Sequence, residues 1–280
     1  MSHDDPGPTL ESDVTRAVAG DRAAVERVMR AIQPDVYGLA LRFLWHPQDA
    51  QDASQEILIR ILTRMETFRG ESSFRTWVYR VACNALLTMR AKRAEQQALS
   101  LEDFGADLER GLSDELPVTV PEVEHELLLE EVRIGCTQAM LLCLDRPHRL
   151  AYILGEILDL DHNEGAAVLE IQSAAFRARL SRARRAINSL MSSHCGLVQP
   201  ANACRCRRRV KAAVELGRVD PQRLTFATSV ARAREFPQVL HAIRSLEETR
   251  RAAALYRAQP QATTADFVEW LRARLDDKDV

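Results

Sequence analysis

Three cysteines and one histidine lie within thirteen residues of one another, and these residue types are the ligands that zinc prefers in proteins. They are His194, Cys195, Cys204 and Cys206. Cys204 and Cys206 can chelate one ion together, whereas a histidine and a cysteine adjacent in sequence rarely both do so. The segment is therefore a candidate site for Zn²⁺ or another thiophilic metal, with a spacing unlike the standard zinc motifs.

Two other interpretations of the same segment remain open. The positive charges of Arg205, Arg207 and Arg208 are expected to lower the pKa of the neighbouring thiols and make them reactive towards oxidants. Alternatively, the segment is a buried turn of small residues followed by a basic arm, with no metal or redox chemistry.

The charges of the chain are strongly segregated. Between Ser173 and Lys211 there are ten basic residues and no acidic one, whereas 100–131 contains eleven acidic residues and a single arginine. A basic block on and after a helix suits a polyanion such as a nucleic acid. The acidic block also contains Pro117 and Pro121 and shows no steady period, which predicts a flexible, self-repelling linker.

Apolar residues recur at helical spacing in the remainder, and no alternating strand pattern competes, so an all-α fold is expected. Asp21 and Ser73 are predicted helix caps. The predicted division is a flexible N-terminus (1–11), a helical bundle (12–95), the acidic linker (96–124), a helix-turn-helix unit (125–192), a Cys/Arg-rich segment (193–212) and a helical extension (213–280).

Several classes of protein are disfavoured. No apolar stretch approaches the roughly 20 residues of a membrane span, and the polar start of the chain is not a signal peptide. A cytoplasmic protein with reduced thiols and no contact with a membrane is expected. No phosphate-binding glycine loop, HExxH pair or GxSxG motif occurs, so the chain is not expected to be an enzyme.

Two stretches of the predicted bundle carry a resemblance. Asp49–Arg60 (DAQDASQEILIR), followed by Phe68–Asn84 (FRGESSFRTWVYRVACN), resembles region 2 of bacterial extracytoplasmic-function (ECF) sigma factors of the sigma-70 family. The match is long, ordered and nearly gapless across 12–93. A membership in this family implies a non-enzymatic transcription initiation factor that requires no cofactor.

The resemblance implies two binding surfaces in this bundle. An acidic helix face would dock on the clamp helices of the largest RNA polymerase subunit. This polymerase-binding face consists of Asp49, Asp52, Gln55 and Glu56. A polar loop and the helix after it would hold unstacked bases of the melted −10 promoter element. The −10 candidates are Phe68, Arg69, Ser72, Ser73, Arg75, Arg80 and Asn84.

The chemistry of these residues suits both roles. Carboxylates match a basic partner surface, and a polar loop beside aromatic side chains offers hydrogen bonds and a stacking wall to unpaired bases. Phe74 and Trp77 share the apolar stripe of their helix and are expected to be core residues. Arg75 and Arg80 are better candidates for phosphate contacts.

The arginine-rich helix expected from Ala174 to about Met191 resembles the end of sigma region 4. In the family this is the second helix of a helix-turn-helix, and it recognises the −35 element. The −35 candidates are Ser173, Ala174, Arg177, Ser181 and Arg184. The first helix and the turn of this helix-turn-helix depart from the family pattern. Glu170 stands where the turn usually has glycine, and Gly165 stands where an apolar residue is expected, which puts the −35 specificity in doubt.

The sequence thus predicts a sigma factor that binds core RNA polymerase, recognises −35 and −10 promoter elements and promotes DNA melting. Its expected partners are the polymerase and promoter DNA, with either an anti-sigma factor or self-inhibition by the C-terminal extension as control. The alternative is a stand-alone helix-turn-helix transcriptional regulator, which needs neither the acidic docking face nor the base-capturing loop.

Overall fold

The computed structural model describes residues 9–91, 93–115, 122–259 and 265–276. Within these ranges the chain forms fourteen α-helices and no β-strand, which confirms the predicted all-α fold. The helices are α1 Leu10–Val18, α2 Arg22–Leu44, α3 Pro47–Arg64, α4 Phe74–Thr88, α5 Arg93–Gln96, α6 Leu101–Glu109, α7 Glu122–Leu142, α8 Arg146–Tyr152, α9 His162–Val168, α10 Ser173–His194, α11 Cys206–Glu215, α12 Val230–Ser245, α13 Glu248–Arg257 and α14 Phe267–Asp276. No helix in this part of the chain is long and apolar enough to cross a lipid bilayer.

The N-terminal bundle consists of α1–α4. Its helices begin at the predicted caps: the Asp21 carboxylate accepts the amide N–H of Ala24 at 3.1 Å, and Ser73 Oγ accepts that of Thr76 at 3.1 Å. The apolar stripes of these helices meet in one core, and Phe74 and Trp77 are buried in it as predicted. The predicted flexible stretch 1–11 lies mostly outside the described residues.

The acidic segment contains a folded helix, so the prediction of a flexible linker is wrong for Leu101–Glu109. Ser100 Oγ accepts the Asp103 amide N–H at 3.0 Å and caps α6. Phe104 and Leu108, one turn apart, are both buried. The hydrophobic pair and the cap outweigh the repulsion of exposed carboxylates, which water screens. Pro117 and Pro121 lie outside the described residues.

The helix-turn-helix unit consists of α7–α10. The Asp161 side chain accepts the amide N–H of Glu164 at the start of α9, and the Glu164 side chain accepts the amide N–H of Asp161. These two hydrogen bonds form a capping box. Gly165 explains one departure from the family pattern, because a Cβ atom there would lie only 2.2 Å from Cζ of Phe176. Glycine therefore permits α9 and α10 to approach closely. Glu170 adopts the left-handed conformation (φ 53°) that the turn requires despite its side chain.

The C-terminal extension consists of α11–α14 and packs on both other units. The buried carboxylate of Glu131 on α7 accepts three successive amide N–H groups, from Thr225, Phe226 and Ala227, each at 2.8 Å. On the N-terminal bundle, Gln33 of α2 accepts the amide N–H of Phe267 at 3.0 Å at the start of α14.

Two arginines of α8 join the bundle to the helix-turn-helix unit. Arg149, only 3% exposed, donates to the carbonyl oxygens of Phe43 (2.8 Å), at the end of α2, and Leu144 (2.9 Å), just after α7. Arg146 donates to the Met89 carbonyl oxygen at the end of α4. Both guanidinium groups bind the carboxylate of Glu95, at 2.7 Å from Arg146 and 2.8 Å from Arg149. Three helix ends thus meet at one buried ionic cluster.

This cluster makes a stability prediction. Replacing Arg149 by Met should lower the free energy of unfolding by about 3–5 kcal/mol, because it leaves the Glu95 carboxylate and several carbonyls without their buried partner. Arg60→Met, which removes the exposed ion pair with Glu56, is the matched control and should cost at most about 1 kcal/mol. Chemical denaturation measures both; equal effects would mean that the buried cluster contributes no more than a surface pair.

Candidate functional site

The four residues predicted to bind polymerase lie along α3. Asp52 and Glu56 are exposed, whereas Asp49 and Gln55 are half-buried. Gln48 Nε2 donates to Asp52 at 3.1 Å, and Arg60 pairs with Glu56 one turn further on. Ile57, next to Glu56 in the sequence, is fully buried and belongs to the core. The face therefore presents carboxylates to solvent on a rigid helix.

The loop between α3 and α4 forms an open pocket of about 580 Å³. Its lining contains four of the predicted −10 residues, Phe68, Arg69, Ser72 and Arg80, together with Trp77. The Phe68 ring packs edge-on against Phe74 (5.2 Å between centroids) and tilted against Trp77 (5.9 Å). Gly70 supplies the positive φ (73°) that turns the loop back. The pocket thus combines an aromatic wall with arginine and hydroxyl groups and with the carboxylates of Glu66 and Glu71.

Arg75 and Ser73 are placed beside this pocket. Ser73 serves as the cap of α4, with its hydroxyl 2.8 Å from that of Thr76. Arg75 remains largely exposed, with its guanidinium 3.4 Å from Asp35 and 3.1 Å from the Tyr79 hydroxyl. Burial, with Asp35 nearby, raises the pKa of Tyr79 to about 12, so this hydroxyl stays protonated at neutral pH. Arg75 therefore presents an exposed positive charge beside the pocket.

The last two −10 candidates face the helix-turn-helix unit. Arg80 Nε donates to the carbonyl oxygen of Ala167 at 3.1 Å, and Asn84 Nδ2 donates to Glu170 Oε2 at 2.8 Å. Both acceptors lie at the end of α9. The turn of the helix-turn-helix therefore sits against the end of the surface predicted to read the −10 element.

The predicted −35 residues lie on α10. Ala174, Arg177 and Ser181 are exposed, and Ser173 at the start of the helix is half-buried. Arg184 differs from them because its Nε donates to the carboxylate of Glu156 at 2.8 Å. Glu156 is itself buried, so Arg184 neutralises a charge inside the unit. Arg177 is the arginine of this set that stands exposed at the N-terminal end of α10.

Comparison with known proteins identifies the family. Residues 28–96 match Sigma-70 region 2. The RNA polymerase sigma-H factor of Pseudomonas aeruginosa is 31% identical over 189 residues, covering 65% of this chain and 95% of the relative. The ECF RNA polymerase sigma-E factor of Haemophilus influenzae is 30% identical, covering 65% and 94%. The chain belongs to the ECF sigma factors.

A solved structure of CnrH in complex with the cytosolic domain of CnrY is 20% identical to this chain and has a TM-score of 0.46. The match covers 65% of this chain and 96% of the matched chain in that structure. The family assignment makes the present protein a sigma factor that acts in transcription initiation and binds RNA polymerase. About a third of the sigma factor chain lies outside the alignments with the Pseudomonas and Haemophilus relatives.

The predicted metal ligands of the sigma factor do not come together as a set. His194 contacts residues of α6: its Nδ1 lies 2.9 Å from a carboxylate oxygen of Glu109, and its ring packs on Gly105. Cys195 and Cys204 form a short backbone bridge. Among the described residues, no three His, Cys, Asp or Glu side chains are arranged to hold a metal ion. The set with His194 as a ligand is therefore unsupported.

The prediction that the arginine charges leave these thiols with lowered pKa values and high reactivity is wrong. Burial raises the pKa of Cys204 to about 11 and that of Cys206 to about 12, and Cys195 shifts in the same direction. Arg205 and Arg209 oppose the shift of Cys204 but do not overcome desolvation. These thiols are protonated at neutral pH and are poor nucleophiles as they stand.

Sequence reasoning missed two groups of residues in this sigma factor. Arg146, Arg149 and Glu95 form the buried ionic cluster. The sequence offered one signal for this cluster, namely two arginines beside an apolar helix. The second group is formed by Cys136 of α7, which lines one cavity with Cys195, Cys204 and Cys206. Its helical spacing alone could not reveal that neighbour, because the other thiols lie about sixty residues further along the chain.

Proposed function

We propose that this sigma factor docks on core RNA polymerase through the acidic face of α3, recognises −35 and −10 promoter elements, and promotes DNA melting. The observation that carries the proposal is the placement of that exposed acidic face and the loop pocket in one rigid bundle. The protein would act in the cytoplasm, without catalysis of its own and without a required cofactor.

The docking proposal rests on the charge of α3. Asp52 and Glu56 lie one turn apart on the solvent side, with the buried stripe of Ile57 and Ile61 behind them. A rigid row of carboxylates favours a basic partner surface and steers its approach. The clamp helices of the largest polymerase subunit are the partner that the family resemblance implies.

The double variant Asp52→Arg, Glu56→Arg should weaken core polymerase binding by about 100-fold or more, because like charges across an interface cost several kcal/mol. Both residues are exposed, so the circular dichroism spectrum and melting temperature should stay unchanged. Affinity is measured by titrating labelled sigma factor with purified core polymerase.

The matched control is Glu235→Arg, Glu248→Arg, which makes the same charge change on exposed positions of the extension. It should bind core polymerase normally. A folded Asp52, Glu56 variant with normal affinity would contradict the docking proposal and favour a stand-alone helix-turn-helix regulator.

Promoter melting requires a place for unpaired bases, and the loop pocket supports that role. Phe68 and Trp77 provide apolar ring surface, while Arg69, Ser72 and Arg80 provide hydrogen-bond donors at the rim. Aromatic stacking contributes about 1–3 kcal/mol per base in single-strand binding. Arg75, whose side chain is largely exposed beside the pocket, would hold the adjacent phosphates.

Recognition of the −35 element is proposed for the exposed face of α10. Arg177 lies at the helix end that enters the major groove in helix-turn-helix proteins, with Ala174 and Ser181 beside it. Arg184 is assigned a supporting role, because it neutralises buried Glu156.

Arg177→Ala should therefore weaken promoter binding and lower the slope of log K against log salt by about 0.9, as expected for one lost phosphate contact. Arg182→Ala, a charge-matched change on another face of α10, should alter binding less. Arg184→Ala should instead lower the melting temperature, since Glu156 loses its partner. Fluorescence anisotropy across a salt series tests the first two; identical slopes for all variants would exclude α10 as the DNA-facing helix.

The contact between the turn and the bundle suggests that the free protein is held closed. Asn84 and Arg80 cannot hold DNA bases or phosphates through the atoms that bind Glu170 and the Ala167 carbonyl oxygen. Opening must separate these contacts. The extension packs on both units and would oppose that separation, which favours self-inhibition by the extension over a requirement for an anti-sigma factor.

Glu170→Gly should increase the affinity of the free protein for a single-stranded −10 oligonucleotide by roughly 3- to 10-fold, because one net hydrogen bond contributes about 0.5–1.5 kcal/mol to the closed state. Glycine also accepts the left-handed backbone without strain. Glu170→Gln removes the same charge but keeps an acceptor oxygen, so it should show a smaller gain. A Glu170→Gly variant with the affinity of the wild type would show that this contact does not restrict DNA binding.

A further inference from the structure

Four cysteine thiols from three segments of the chain line one small, enclosed cavity. Cys136 comes from the middle of α7, Cys195 follows α10, Cys204 lies in the next loop and Cys206 is the first residue of α11. The cavity has a volume of about 20 Å³. This is close to the space of a single water molecule and is ample for a metal ion.

The other residues that line the cavity are mostly apolar, so they offer the thiols few polar partners. Leu108, Val132, Met140 and Leu197 contribute hydrocarbon, and Arg133 and Arg209 contribute the two charges. Arg209 is paired with Asp107 at 2.9 Å, and Arg133 with Glu130 at 2.9 Å. A small cavity lined by four thiols, with two fixed cations beside it, fits a bound cation with thiolate ligands.

Zinc coordination requires deprotonated thiols, and the divalent charge of the ion makes their deprotonation favourable.

The backbone already holds two of the thiols together. Cys195 and Cys204 are bridge partners, and the Gly196 amide N–H donates to the Cys204 carbonyl oxygen at 3.1 Å. Cys206 is two residues further on and can chelate with Cys204. Only Cys136 belongs to a distant part of the sequence, and it is fixed by α7.

We propose that Cys136, Cys195, Cys204 and Cys206 form a structural Zn²⁺ site with four thiolate ligands. One Zn²⁺ replaces four thiol protons, and the resulting centre has a net charge of −2 beside Arg133 and Arg209. Four protein ligands with no open position are typical of structural rather than catalytic zinc. The site uses Cys136 in place of His194, which is engaged by Glu109.

Binding requires the thiols to turn towards a common point. In the described part of the chain they surround the cavity without forming a ligating group of three. Zinc–sulfur bonds of about 2.3 Å in a tetrahedron bring the sulfur atoms to about 3.8 Å from one another. The proposal therefore requires rotations about cysteine χ1 that bring the four sulfur atoms together.

The proposed site would fasten the start of the extension to the helix-turn-helix unit. The loop between Cys195 and Cys204 exposes carbonyl oxygens that the extension binds: Arg244 donates to that of Gly196 at 2.9 Å, and Arg251 to that of Val198 at 2.9 Å. Zinc would order this loop and thus the surface on which α12 and α13 rest.

The test is the zinc content of the full-length protein purified under reducing conditions, measured by mass spectrometry of the metal. The wild type is expected to hold one zinc ion per chain after a wash with a weak chelator, and Cys136→Ser is expected to lose it. Cys143→Ser, in the turn that follows the same helix, and His194→Ala should retain it. Retention in Cys136→Ser, loss in His194→Ala, or absence of zinc from the wild type would each overturn the proposal.

A second measurement protects the test against variants that fail to fold. The wild-type protein reconstituted with Co²⁺ should show the thiolate charge-transfer and visible d–d absorption of a tetrahedral sulfur site, and Zn²⁺ should displace it. A Co²⁺ spectrum without thiolate bands would overturn the site even if zinc co-purified. An intact mass showing a disulfide in the freshly reduced and desalted protein would likewise overturn it.

Discussion

A buried guanidinium holds this protein in its observed arrangement. Helix C-termini leave carbonyl oxygens without intrahelical partners, and such groups are costly when buried. Arg149 satisfies carbonyls at the ends of α2 and α7 at once, and Arg146 does the same at the end of α4. Burial lowers the pKa of Arg149, and the Glu95 carboxylate opposes this shift and keeps the group charged. The cluster is stabilising because hydrogen bonds, and not the charges alone, offset its desolvation.

The same constraint explains which surfaces are accessible. With the ends of α2, α4 and α7 joined at one point, α9 lies against α4, and its C-terminal turn reaches Arg80 and Asn84. The acidic face of α3 and the Arg177 face of α10 remain exposed on other sides. A sigma factor in this state presents its proposed polymerase and −35 surfaces, while part of its proposed −10 surface is engaged by its own chain.

Local chemistry made much of this fold predictable. The caps at Asp21 and Ser73, the buried stripe with Phe74 and Trp77, and the loop at Gly70 all depend on residues within one or two helical turns. The family resemblance depends on the same segment, because its motifs are contiguous. Helix α6 was missed because eleven acidic residues between 100 and 131 suggested repulsion, whereas a capped turn with two buried side chains is sufficient in a folded context.

The sequence could not reveal contacts between residues that lie far apart along the chain. Arg149 and Glu95, like Cys136 and Cys206, are neighbours only after α7 and α8 have packed. His194 shows the converse, since its position beside Cys195 in the sequence suggested a shared ligand role. His194 is the last residue of α10, whereas Cys195 already has extended backbone, and the imidazole of His194 contacts Glu109. Residues that chemistry requires to converge must therefore be sought across helices, where the extension, α7 and the loop after α10 bring the four thiols to one cavity.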